Sequence, residues 1–456
     1  MRYGKPITGP AAPNYSLTGI SLGTSQSPQT APVESSPSTT PRSIQPEVAK
    51  EDPSNVFVAG SLNVDLSCDF APRQGSPLVS PQPQTSNPAT IVQTLGGVAQ
   101  NVARAAHLMG ANVRLCSAVG DDLTGKAALD ALAAGGMSAS GVKTLSAGSG
   151  SRTSQYIAVN DGNKDLVLAM ADVSILEQTS PSSALVEAFD TWWLPQLQKE
   201  KPTHLALDAN WPPPHIGRWV EAGKSIGAHI TFEPVSTAKG AGLFQLPKPY
   251  HLSVFPHASV DLTTPNAFEL AAMHSAASES EAFQRSDWWE VIDALGIPHS
   301  GARTAMALAT SNELVDQGVP QQSIQLLPFI PAICTKLGSK GVLLTQLLPA
   351  NDPRLTSGAY APYILSRCAN GTEDTLGVGG VYMRLFPSAE AVKAEEVVSV
   401  NGVGDTFAGT IIAGLAKRGK EGKVEDLIDL AQRAAVLTLK SKESVSPGLG
   451  TLRMLL

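Results

Sequence analysis

The segment VNGVGDTFAGTIIAGLA, at 400–416, holds the residue types and spacing best suited to chemistry. Gly402 and Gly404 bracket a turn that runs straight into a helix whose apolar face includes Phe407, Ile411 and Leu415. The first amides of a helix have no carbonyl partners and together carry roughly half a positive charge, so the turn 402–405 can hold a phosphate or a migrating phosphoryl group. Asp405 stands at the N-cap or in the first turn, and two roles are open to it. As a cap it contributes about 1 kcal/mol, and by spacing alone that is the commoner role for Asp. As a general base it takes a proton from a hydroxyl held beside the anion site. Phosphoryl transfer needs the second role: a base for the acceptor alcohol, and preorganised donors for the charge on the phosphoryl oxygens.

The elements that must position this turn are legible as alternating β and α patterns. VFVAGS (56–61) is a short apolar run ending in glycine, the pattern of a buried strand in a parallel sheet. IVQTL (91–95) reads as another strand. GGVAQNVARAAHLMGANVRLCSAVGDDLTG then reads as glycine turn, helix, a stop at Gly110, a strand at 113–119, a turn and a second helix. Val98, Val102, Ala105 or Ala106, and Met109 share one face of the first helix, which must lie on a sheet. SQYIAVN (154–160) and LVLAMA (166–171) flank DGNKD, whose Asp-Gly step favours a hairpin and hence a small accessory sheet. Further strands are expected at 204–209, 229–235, 332–338, 342–347 and 381–386, with helices around 266–275, 405–418 and 425–441. This alternation predicts an α/β fold: a doubly wound, mostly parallel sheet with helices on both faces. Asp122 is expected to cap the helix after it, and the segment 349–379 fits neither period and reads as a surface insertion.

Composition narrows the class. The chain has 456 residues, 42% hydrophobic and 16% charged, enough to bury a sizeable core. Nine of its 34 prolines fall in residues 1–54, a Ser/Thr-rich stretch with no apolar period. It reads as a disordered arm or linker ahead of one domain spanning 55–456. That stretch is poor in acid, as a transit peptide is, but its prolines prevent the amphipathic helix such a peptide needs. No run is long and apolar enough for a membrane span. The net charge of −7, without any Lys/Arg-rich run, gives a nucleic-acid surface nothing to rest on and points to small partners. Cys68, Cys116, Cys334 and Cys368 stand apart, with no zinc-ligand spacing, and read as reduced thiols of a cytoplasmic protein. The eight histidines show no metal or triad spacing.

GG-x-x-x-N at 96–101, VGDDLTG at 119–125, TPNAFEL at 264–270, TKLGSKG at 335–341 and NGVGDTF at 401–407 occur in the order of the PfkB (ribokinase-like) carbohydrate kinase family, which the chain therefore resembles. Within that family it looks most like pseudouridine kinases, through GGVAQNVA (96–103), LDANWP (207–212) and FEPVSTAK (232–239). It is also similar to the kinase half of fungal pseudouridine-metabolising bifunctional proteins, where a glycosidase precedes the kinase and the arm would be the joining linker.

The resemblance implies that Asp405 is the base acting on a sugar 5′-hydroxyl, with Gly402, Val403 and Gly404 offering amides to the phosphoryl oxygens. Val403 replaces the usual alanine, but only its N–H is needed. Asn266 and Glu269, three apart on one helix face, would position Mg²⁺ through water; an amide and a carboxylate suit that hard ion, and their bland alternative is a cap and a surface carboxylate. Asp65 and Asn101, with Asn63, match positions that hydrogen-bond sugar hydroxyls, and Gly97 would allow close approach to the sugar. Asn210 and Lys239 would face the sugar or phosphate cleft. Thr335 and Gly338 would line the ATP ribose and phosphates, and Ser444 to Gly448 would close over the adenine. Val98 stands where ribokinases carry lysine, which favours a substrate bearing a base over free ribose. Ser399 stands six positions before Asp405, where many relatives place an acidic potassium ligand, so monovalent-cation activation is left open.

The resulting expectation is a kinase that uses ATP and Mg²⁺ on the 5′-hydroxyl of pseudouridine, or else of ribose or another nucleoside or sugar. Segments near 62–70, 90–95 and 154–171 would form a small β lid, through which a homodimer is conceivable. The rivals are a non-catalytic nucleoside or sugar sensor of the same fold and a fragment working with a glycosidase partner.

Overall fold

The computed structural model describes residues 54–72, 74–75, 77–297, 301–368 and 376–456. Apart from Ser54, the arm expected at 1–54 lies outside them. Fourteen strands form among the described residues: β1 Val56–Ala59, β2 Asn63–Phe70, β3 Ala89–Gly96, β4 Val113–Gly120, β5 Val142–Leu145, β6 Gln155–Asn160, β7 Leu166–Asp172, β8 His204–Asp208, β9 His229–Glu233, β10 Leu262–Thr263, β11 Ala332–Lys336, β12 Val342–Pro349, β13 Ile364–Arg367 and β14 Val378–Phe386. Ten of them make one sheet in the order β13-β14-β12-β11-β10-β9-β8-β1-β4-β5. From β5 to β11 every neighbouring pair is parallel. Beyond β11 the pairs to β12, β14 and β13 are antiparallel.

Parallel strands need covering on both faces, and the alternation within β1 shows how that is met. Phe57 and Ala59 point to a core shared with Ile216, Trp219, Leu270 and Met273. Val56 and Val58 point the other way, into a core with Ala99, Val102, Ala408 and Ile412. The second core belongs to helices Val98–Leu108 and Val403–Arg418. These two pack closely because Gly409 has no side chain: a Cβ there would stand 2.5 Å from the Val102 carbonyl oxygen and 2.7 Å from the Ala105 Cβ. One turn before that contact, the two helices present Asn101 and Asp405 to each other.

The remaining strands form a separate four-stranded sheet, β3-β2-β6-β7. Its outer pairs are antiparallel, whereas β2 and β6 run parallel. The Asp-Gly hairpin is therefore present between β6 and β7, but it is joined to β2 edge by edge.

Three strands went unrecognised in the sequence. β10 is two residues long, β5 is four, and β13 lies inside 349–379, where a half-buried strand of four residues carries too little period to register. That segment thus supplies the edge strand of the large sheet, although residues 369–375 lie outside the described ones. It is anchored by Arg354, which is buried and donates to Asp352 (2.9 and 2.7 Å), Gln346 (2.9 Å) and Glu425. Removing one partner of a buried ion pair leaves an uncompensated charge. Arg354→Met is expected to lose about 3 kcal/mol of stability, read as a lower urea midpoint at unchanged slope; an unchanged midpoint would show the anchor to be idle.

No helix among the described residues is long and apolar enough to cross a membrane. The four cysteines are free thiols, Cys116 and Cys334 buried. His204 and His229 stack across β8 and β9 at the amino ends of those strands, with ring centroids 5.2 Å apart. The groups described next gather at the opposite, carboxyl edge.

Candidate active site

Three buried strands end in a charged residue: β8 in Asp208, β9 in Glu233 and β11 in Lys336. Asp208 and Glu233 are register partners, so the carboxyl edge of the sheet gathers charge where open α/β sheets bind ligands.

The Asp208 carboxylate ties three elements together. Its Oδ2 accepts from the Ser61 amide (2.9 Å), the Ser61 hydroxyl (2.8 Å), the Ala99 amide (2.9 Å) and Asn210 Nδ2 (3.1 Å), while Oδ1 accepts from the Asn210 amide (2.9 Å). Gly97 is the N-cap of helix Val98–Leu108 and has no capping side chain. Asp208 and Ser61, whose Oγ accepts from Val98 N (2.8 Å), satisfy those first amides from outside the helix. Asn210 in turn accepts from Lys239 Nζ at 2.6 Å. The predicted pair Asn210 and Lys239 is therefore in direct contact, and both hang on Asp208.

Asn63 and Asp65 sit on β2 two residues apart, hence on one face of the small sheet. Gly96 is essential to their placement, since a Cβ there would lie 1.9 Å from Asp65 Oδ2. A Cβ on Gly97 would meet the Ser61 carbonyl oxygen at 2.5 Å and the Asn63 amide at 3.0 Å. Burial pushes the Asp65 carboxyl up to about 6. Asn63 Oδ1, Asp65 Oδ1, Gln100 Oε1 and Asn101 Oδ1 are all buried with no hydrogen-bond partner among the described residues. Buried acceptors are normally satisfied, so this cluster is suited to receiving donors from a ligand.

Asp405 is not a cap. Helix Val403–Arg418 starts one residue after Gly402, which is the N-cap at φ 71°, and Asp405 lies within the first turn. No other residue fits at 402: the backbone is left-handed, and a Cβ would overlap the Ser444 carbonyl oxygen at 1.8 Å. The segment carrying Ser444 is pinned there by Thr438, whose hydroxyl pairs with Thr406 (2.9 Å) and accepts from the Ser446 amide (3.1 Å). Asp405 Oδ2 accepts from Asn101 Nδ2 at 2.8 Å, so its carboxylate is turned to helix Val98–Leu108 and not to its own backbone. Burial, then the Glu233 carboxylate, push the Asp405 carboxyl up to about 7; Asn101 and Lys336 oppose this and Asp208 adds to it. A base titrating near neutral pH is poised for proton transfer.

Lys336 closes the group. Its ammonium donates to Glu233 Oε1 at 2.9 Å, and a methyl group on Gly404 would stand 2.9 Å from Nζ. Thr264 holds the other Glu233 oxygen. Burial alone would depress the Lys336 ammonium, but Glu233, Glu269 and Asp405 reverse the sign and hold it above the ordinary lysine range.

Asn266 and Glu269 form a reciprocal capping box. Asn266 Oδ1 accepts from the Phe268 and Glu269 amides, both at 2.9 Å, and Glu269 Oε2 accepts from the Asn266 amide at 2.8 Å. Glu269 is only 7% exposed, so it is not a surface carboxylate. The same box leaves Glu269 Oε1 without a hydrogen bond among the described residues, close enough to Lys336 to shift it. That oxygen fits water-mediated Mg²⁺; Asn266 Oδ1 is already committed to two amides. Among the described residues no three His, Cys, Asp or Glu side chains converge as a metal cluster.

Thr335, fully buried, has a hydroxyl without a partner among the described residues, whereas Gly338 lies in a turn where a Cβ would meet nothing within 4 Å. The Ser399 hydroxyl accepts from the Asn401 amide at 3.1 Å. Asp122 caps its helix as expected, accepting from the Gly125 amide. Sequence reasoning missed Ser61, Asp208, Glu233 and Lys336. A signal was available: each of the last three is a charged residue that ends an apolar run, in HLALD, HITFE and AICTK.

A family model for pfkB family carbohydrate kinases matches residues 54–292 and 375–449. The chain is 30% identical over 407 residues to the pseudouridine-metabolizing bifunctional protein of Schizosaccharomyces pombe, covering 88% of this chain and 48% of that protein. It thus spans about half the length of that relative. Among solved structures, ribokinase from Cryptococcus neoformans in complex with ADP superposes with a TM-score of 0.53 at 17% identity, over 88% of this chain and 100% of that one. Arabidopsis thaliana ribokinase complexed with ribose and ATP gives 0.53 at 16% identity, over 88% and 98%. These two likenesses bear on the fold, which is ribokinase-like. By its family match and by its likeness to the yeast protein, the chain belongs to the pfkB family of carbohydrate kinases.

Proposed function

We propose that this chain transfers the γ-phosphoryl group of ATP to the 5′-hydroxyl of a nucleoside, with pseudouridine as substrate. The observation that carries the reading is the Asp405 carboxylate, held by Asn101 away from its own backbone, beside the amides of the 402–404 turn, which no side chain caps. Asp405 takes the hydroxyl proton as that oxygen bonds to phosphorus; the bond from phosphorus to the β-phosphate oxygen breaks, and ADP leaves. The amides of Gly402, Val403 and Gly404 offer donors to the phosphoryl oxygens. Mg²⁺, held through water at Glu269, would neutralise phosphate charge; the predicted Asn266 instead fixes the capping box that presents Glu269.

The unsatisfied acceptors of Asn63, Asp65 and Asn101 suit the hydroxyls of a ribosyl group. Lys239 keeps two donors for a ligand in the sugar or phosphate cleft, whereas the Asn210 donors are committed to Asp208 and Ser61. The small sheet carrying Asn63 and Asp65 is suited to closing over the sugar, excluding water from the phosphoryl group. The likeness to the S. pombe protein favours pseudouridine over ribose, and a cytoplasmic enzyme working alongside a glycosidase is consistent with that likeness.

An ATP-consumption screen over pseudouridine, uridine, other nucleosides, ribose and fructose tests the reading. Pseudouridine is expected to give the highest kcat/KM. A preference for ribose would sink the substrate assignment, and no ATP consumption with any acceptor would favour a sensor.

A further inference from the structure

We propose that Lys336 is a catalytic residue of this site: its ammonium donates to the non-bridging oxygens of the migrating phosphoryl group. The inference rests on the phosphotransfer reading above and adds a residue to it. Lys336 ends β11 and points to the start of helix Val403–Arg418, where a Cβ built on Gly404 would stand 2.9 Å from its Nζ. Its side chain is 19% exposed and so has given up most of its water. An ammonium has three donors; Glu233 takes one, and no other described residue accepts from it. The remaining donors lie beside the anion turn.

Charge supports the assignment. Glu233, Glu269, Asp405 and Asp208 all face this edge. A phosphoryl group carrying several negative charges cannot approach four carboxylates without a counter-charge nearby. Helix amides supply only about half a charge. Lys336 pairs with Glu233 and lies beside Gly404 of the turn, and Glu233, braced by Thr264, fixes its position without consuming it. The adjacent acceptor Asn101, 7% exposed with Oδ1 unsatisfied, marks the same cleft as one built for a ligand. In the transfer step Lys336 gives up no proton. The acceptor oxygen bonds to phosphorus, ADP departs, the proton goes to Asp405, and Lys336 balances charge on the phosphoryl oxygens throughout.

The alternative is a structural ion pair, and a double substitution separates the two. Lys336→Met is expected to lower kcat about 10²–10³-fold, with the KM for ATP changed by only a few fold. Because that variant leaves Glu233 buried without its partner, Lys336→Met/Glu233→Gln is made in parallel and compared with Glu233→Gln alone. If Lys336 acts on the phosphoryl group, the double variant stays about 100-fold or more slower than Glu233→Gln. If the lysine only neutralises Glu233, the two have equal turnover, and the proposal is overturned. A second readout is calorimetric: aluminium fluoride should tighten ADP binding in the presence of nucleoside for the parent chain and not for the double variant. An equal gain in both would also overturn it. A parent chain that phosphorylates no acceptor would overturn the phosphotransfer reading and this inference together, whereas an active parent with unaffected Lys336 variants overturns this inference alone.

Discussion

Asp405→Asn is expected to lower turnover about 10³-fold or more while leaving nucleoside binding within a few fold. The amide keeps the volume and can still accept from Asn101, but it cannot take the proton of the attacking hydroxyl. The groups packed around Asp405 also set the pH profile: Glu233 on β9, Asp208 on β8, Lys336 on β11 and Asn101 on helix Val98–Leu108. With the carboxyl near 7, kcat/KM of the parent chain should climb between pH 6 and 8 and level off above. A flat profile over that range would remove Asp405 as the base.

The same substitution should stabilise the fold. A carboxyl whose folded pKa is raised binds its proton more tightly when native, so stability falls as pH rises from the unfolded value near 4 through about 7. The cost is therefore largest above pH 7 and absent near pH 4. Discounted for the solvent still reaching a half-buried group, Asp405→Asn should gain about 1–2 kcal/mol at pH 8 and nothing at pH 4. A variant less stable than its parent at pH 8 would show that Asp405 holds the helix together after all.

Asp208→Ala carries the second large effect. Five donors converge on this carboxylate, from Ser61 (two), Ala99 and Asn210 (two). Their loss leaves buried amides and a hydroxyl unsatisfied, at about 4–5 kcal/mol in total once partial rearrangement is allowed. Activity should collapse with stability, because the start of helix Val98–Leu108 sets Asn101, and Asn210 sets Lys239. Urea unfolding measures the first effect, and kcat/KM at a temperature where the variant is still folded measures the second. A variant that is folded, stable and active would mean that Ser61 alone organises the junction.

Local pattern carried much of the architecture. The apolar runs 204–209, 229–235 and 332–338 announced buried strands, since a strand covered on both faces has few polar positions, and glycines 402 and 404 announced a helix start that can face an anion. Short elements escaped: β5, β10 and β13 have too few residues for a period to show. The charged strand ends escaped for another reason. In sequence Asp208, Glu233 and Lys336 look like turn residues at the close of strands, and nothing local distinguishes a solvated carboxylate from one that accepts five hydrogen bonds.

By itself, then, the amino-acid order determined the helix start at 402–405 and the succession of strands and helices, and it left Asp405 two roles, of which the cap was the commoner. Only folding removed the cap, since Gly402 takes that position. Asn101 lies 304 residues away from Asp405, and the Lys336 partner Glu233 lies 103 away; such distances in chain leave no periodic trace. Burial and neighbouring charge, which decide whether a carboxylate caps a helix or takes a proton, are properties of the packed sheet edge and come into being only when its strands lie side by side.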